Sequence, residues 1–239
     1  MHHRFASLIL LSSLPLTTPS QSAAQTPYLI LNTSSFQLAY TERDRDRVGI
    51  VLDMLDRSYH DISQALDFSP SEPLRVILHA NRDYSPPTNS PNSFAYYSLG
   101  DRTIHILYGW TSTSSTADSR TQNTLTHEMT HAFVNAMTPA PVPRWFNEGL
   151  AVYFQTRPDQ AVTVAGITRD LRAGVLPSLE NSPYQAGFAA IYYIVQRYGM
   201  TSVRDILLES RRRPFPTAFR AILGTDISTI DRQFRDALR

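Results

Sequence analysis

The sequence contains no cysteine and no lysine. The first absence excludes disulfides, thiolate nucleophiles and the thiolate-closed sites common in structural zinc. The second excludes a lysine nucleophile or Schiff base. All 22 basic residues are therefore arginine, set against 21 acids for a formal net charge of +1. That balance gives no support to nucleic acid or an acidic membrane as a partner. Beyond the N-terminus no apolar run approaches the roughly 18 residues that a spanning helix needs, and without cysteine there is no site for a lipoprotein-type anchor. Histidine is also scarce, and none follows His131.

What is present begins with a leader. Residues 1–24 combine a weakly positive start at Arg4, an apolar stretch over residues 5–16 and the small-residue pattern Ser22-Ala23-Ala24. This is the pattern of a secretory signal peptide cleaved near Ala24, so the expectation is an exported chain, periplasmic or extracellular. Residues 25–239 then form a single domain, long enough to bury one full core.

Alternating apolar residues predict strands over residues 28–31, 36–40 and 74–78. A hairpin follows, with strands 94–98 and 103–107 around a Gly-containing turn at residues 99–102. A long amphipathic helix is expected over 44–66, and a proline-rich loop over 85–92. Further helices are expected over 119–137, 144–155, 184–198, 202–210, 215–223 and 227–238. The fold class is α+β, a small twisted N-terminal sheet packed on the helix at 119–137, with a helical C-terminal half.

That helix carries His127-Glu128-Met129-Thr130-His131. Positions i and i+4 differ by about 40° of rotation and about 6 Å of rise, so both imidazoles converge on one point. The segment Thr138-Pro139-Ala140-Pro141-Val142-Pro143 stops the helix, and Glu148 lies on the next one. A catalytic zinc ion takes three protein ligands and keeps one position open. A third ligand beyond His131 must be a carboxylate, because no histidine remains there. We assign one zinc ion to His127, His131 and Glu148. Glu128 follows a ligand by one residue, so its side chain is turned away from the ion toward water and substrate. Its expected role is general base and later general acid in hydrolysis of a peptide bond by metal-bound water. A metzincin would place Gly and His where this chain has Val134 and Met137, which excludes that class.

With Trp145-Phe146-Asn147-Glu148-Gly149-Leu150-Ala151 and the later Tyr184-Gln185-Ala186-Gly187-Phe188 segment, the chain resembles the gluzincin zinc metallopeptidases, and among them the peptidase MA-like domains. The resemblance implies an edge strand in the 94–107 hairpin that pairs with an extended peptide or protein substrate. It also implies an oxyanion donor, for which Tyr184 is the matching residue. His105 is expected on the solvent face of its strand and Arg211-Arg212-Arg213 at a helix end in water. Two alternative readings use the same residues: a catalytically silent zinc domain that binds polypeptide, and a zinc amide hydrolase acting on cell-wall material.

Overall fold

The computed structural model describes residues 27–79, 94–107, 115–157 and 160–238. The leader, the cleavage position and the proline-rich loop lie outside the described residues. Five strands form one sheet: β1 (Tyr28–Asn32), β2 (Phe36–Thr41), β3 (Leu74–His79), β4 (Ala95–Ser98) and β5 (Thr103–Leu107). Their spatial order is β1-β2-β3-β5-β4. The centre is parallel and both edges are antiparallel, since β2 pairs with β3 and β3 with β5 in parallel while β1 and β4 turn back as hairpins.

A 3-10 turn over Glu42–Arg47 leads from β2 into α1 (Val48–Leu66). Eight helices are described: α1, α2 (Ser115–Met137), α3 (Arg144–Gln155), α4 (Gln160–Arg172), α5 (Gln185–Tyr198), α6 (Met200–Glu209), α7 (Phe215–Leu223) and α8 (Ile227–Leu238). The result is an α+β fold with a mostly helical C-terminal half.

One face of the sheet is apolar because Leu38, Val76, Leu78, Ile104 and Ile106 alternate with residues on the other face, and all five are fully or almost fully buried. α1 covers part of this core with Val51, Met54, Leu55, Ile62 and Leu66, residues at helical spacing. α2 buries Leu125, Met129, Phe133 and Met137 in the same cluster and meets both β4 and β5. Between α1 and α2 the contact is partly polar. Gln122 Nε2 donates to Met54 O at 3.0 Å and to Ser58 Oγ at 2.8 Å, fixing the rotation of α2 against α1.

Three details differ from expectation. α4 is an additional helix, held by buried Ile167 and Leu171. The left-handed backbone of the β4–β5 turn falls on Arg102, with φ at 55°, and not on Gly100. His105 does not face solvent. It lies on the sheet face away from Ile104 and Ile106, its ring covered by Tyr96 stacked at 4.6 Å and His79 at 5.2 Å. Burial pushes the His105 imidazole below its ordinary range, against the pull of Asp101, whose Oδ2 is 3.3 Å from Nε2.

The arginine run also works differently. Arg211 donates to Ala136 O at 2.8 Å and to Met137 O, so it closes the C-terminus of α2 and not of its own helix. Arg212 and Arg213 pair with Glu209.

Candidate metal centre

α2 and α3 bring His127, His131 and Glu148 together. One donor atom from each residue lies within 4.8 Å of the others. Glu148 Oε2 is 3.3 Å from His127 Nε2 and 3.5 Å from His131 Nε2.

The opposite ring nitrogens are anchored. His127 Nδ1 lies 2.9 Å from Gln155 Oε1, and His131 Nδ1 lies 3.0 Å from Asn147 Oδ1. An amide oxygen only accepts, so each Nδ1 must carry a proton and donate it. In the neutral rings both Nε2 lone pairs then face Glu148 Oε2. That oxygen is buried and accepts no hydrogen bond among the described residues. Three inward-facing acceptors with no donor between them call for a cation, and two imidazoles with one carboxylate are a donor set suited to zinc. The residues present therefore fit the ion that the sequence implies.

When a proton takes the ion's place, imidazole N–H groups face the same carboxylate. Burial pushes the Glu148 carboxyl up, but the two facing imidazoles outweigh it and hold the group well below the usual carboxylate range. Burial lowers His131, whereas the charges of Glu148 and Glu128 raise it above its ordinary value. The negative potential that favours a proton on His131 also favours a divalent cation at the same place, so the two compete for it.

Glu128 points elsewhere. A rotation of about 100° per residue turns it from its histidine neighbours toward β4, where the Tyr97 backbone N–H donates to Oε2 at 2.8 Å. β4 is an edge strand, and the antiparallel pairing explains the contact. Leu107 N–H donates to Phe94 O at 2.7 Å, so alternation directs the backbone groups of Tyr97 away from β5. Burial raises the Glu128 carboxyl above its ordinary value, opposed by His127, His131 and the Tyr97 N–H.

Tyr184 precedes the first turn of α5. It is 45 % exposed, with its ring stacked 6.3 Å from that of His127 and Arg144 at 5.8 Å from its centroid. Burial raises its phenol, as does the charge of Glu148, while Arg144 opposes both. Arg144 Nε also lies 3.8 Å from Glu148 Oε1.

The approach of Tyr184 has a backbone cause. Gly149 and Gly187 let α3 and α5 cross almost in contact: a Cβ on Gly149 would stand 2.3 Å from Gly187 C, and one on Gly187 would stand 2.2 Å from Trp145 O. Trp145 and Phe146 are buried packing residues. Phe146 meets Phe215 at 4.9 Å and Trp145 meets Phe219 at 6.2 Å, which fixes α3 against α7.

All five sequence-derived site residues thus lie in one region, and His105 lies outside the cluster. Sequence reasoning missed Gln155, Asn147, Arg144 and Tyr97. Asn147 and Arg144 had a signal, since both sit on the Glu148 helix within four residues of it.

Among solved structures the chain is similar to an M1 zinc metallopeptidase from Deinococcus radiodurans. The TM-score is 0.52 at 16 % identity over 89 % of this chain, and a glutamate-to-alanine variant of that enzyme matches equally. The fold is shared with part of that enzyme. This chain spans about half the length of the metallopeptidase, 50–51 % of it. No family model matches the sequence, and no curated protein does.

Proposed function

We propose that this protein is a zinc-dependent metallopeptidase of gluzincin type with a peptidase MA-like domain, in which the sheet packs on the metal-binding helix. The observation that carries the reading is the convergence of His127, His131 and Glu148 donor atoms within 4.8 Å, in a fold shared with a zinc metallopeptidase. Zinc, when bound, would acidify water and polarise a carbonyl.

The chain's own residues supply the rest. His127, His131 and Glu148 would hold the ion, with Asn147 and Gln155 locking the imidazole tautomers. Glu128, held by the Tyr97 N–H and raised by burial, would accept a proton from the attacking water and return it to the leaving amine. Tyr184, beside His127 and Glu148, would donate its hydroxyl to the oxyanion. β4 would offer its outer edge to an extended polypeptide, so that main-chain pairing carries much of the affinity. The leader pattern in residues 1–24 supports export.

The test is Glu128→Gln. With zinc content unchanged, hydrolysis of peptides should fall by about 10²–10⁴-fold, the scale of a lost general base. A variant as active as wild type would remove Glu128 from the chemistry.

A further inference from the structure

A cavity opens beside Tyr97. Its volume is about 620 Å³, and Tyr97, Ala132 and Asn135 line it together with Arg75, Arg102 and Glu72. The cavity borders the candidate site at two of its lining residues. Tyr97 is the residue whose N–H holds Glu128, and Ala132 lies one helical turn beyond Glu128 on the same face of α2.

Its charge is unbalanced. Arg75 on β3 pairs across the sheet with Thr103, and Arg102 is the residue before Thr103, so the two arginines start from neighbouring backbone positions. Neither has an ion-pair or hydrogen-bond partner among the described residues, and Glu72 is the one carboxylate in the lining. Arg102 holds its place at a cost: its φ of 55° is a backbone conformation that favours glycine. The half-buried Tyr97 phenol, which burial pushes up to about 12, remains a neutral donor on the same wall.

We infer that this cavity binds a carboxylate of the polypeptide substrate, with Arg75 and Arg102 as its cationic donors. The inference rests on the peptidase reading and names a specificity for it. A guanidinium binds a carboxylate through paired charge-assisted bonds, so an acidic residue at a fixed distance from the scissile bond would anchor the chain along β4. The carboxylate comes from an Asp or Glu side chain or from the substrate's C-terminus.

The experiment reads binding separately from turnover. An N-acetylated, C-amidated random octapeptide library is passed over immobilised full-length zinc-loaded protein, and the retained pool is sequenced. Parallel columns carry Arg75→Gln and Arg102→Gly, the glycine variant being compatible with the left-handed backbone. A second library has free C-termini and no acidic residues. Wild type should enrich Asp or Glu at one position by about tenfold, and both variants should lose that enrichment while keeping wild-type zinc content and melting temperature. Enrichment only in the second library, lost in the same variants, assigns the pocket to the C-terminal carboxylate. Retention without acidic preference, preference that survives both substitutions, or no retention in either library overturns the inference. Cleavage of the same libraries in solution is scored independently, so failure of the peptidase reading appears as binding without hydrolysis.

Discussion

Each imidazole in the candidate centre is held by a group outside the metal-binding trio, and those groups give the most specific residue-level expectations. Removing the Gln155 or Asn147 amide leaves His127 or His131 free to rotate and to change tautomer. Gln155→Ala and Asn147→Ala should each weaken zinc affinity by about 10–100-fold in a chelator competition, with little change in the circular dichroism spectrum. Unaltered affinity in both would mean that the Nδ1 contacts do not orient the rings. At this scale the sequence is informative where geometry is local. The i, i+4 rule places His127 and His131 together whatever surrounds them, and with no histidine after His131, Glu148 is the first carboxylate available. Tyr97 and Gln155 were not readable, because their partners lie 31 and 28 positions away and depend on how strands and helices dock.

Among the elements, the crossing of α3 and α5 is the joint on which the site depends. Gly149 and Gly187 have backbone atoms of a neighbouring helix where a Cβ would go. Gly149→Ala should therefore force the helices apart, lowering stability by about 1–3 kcal/mol or more in urea titration, the usual cost of overpacking. It should also reduce activity by moving Tyr184 away from His127. Gly166→Ala is the control, since only an Arg169 side-chain atom at 3.8 Å lies near its Cβ position and helix propensity favours alanine. α8 offers a second test. Asp226 Oδ1 accepts from Thr229 N–H and Ser228 Oγ, both at 2.8 Å, and these bonds lower its carboxyl to about 2. A depressed folded-state pKa means that its stabilising effect is present above the unfolded value of about 3.9 and fades as pH falls toward 2. Asp226→Ala should lower the melting temperature at pH 7 and lose that difference near pH 2. Helices with strong apolar periodicity, such as α7 and α8, were legible to the residue. α4 was not, because Val162, Thr163, Val164, Gly166 and Thr168 are poor helix formers and only packing of Ile167 and Leu171 settles its state.

For the whole molecule, the strand positions could be read from alternation, yet their order could not. Nothing local to β5 says that it inserts between β3 and β4, because that choice is made by the buried face it shares with α2. The outer sheet face shows the same limit. Tyr28, His79, His105 and Asp101 are linked across it, with His79 Nε2 and His105 Nδ1 2.9 Å apart, whereas alternation alone assigned His105 to solvent. Two halves of the molecule thus meet at one point, the sheet supplying Tyr97 and the helices supplying His127, Glu128, His131, Glu148 and Tyr184. The measurement that bears most directly on this account is metal stoichiometry by elemental analysis of the full chain, wild type beside Glu148→Ala. The account predicts about one zinc per wild-type molecule and a large loss in the variant, since a catalytic site left with two protein ligands is incomplete. Wild-type protein that folds, takes up no zinc and keeps His127, His131 and Glu148 together would contradict it.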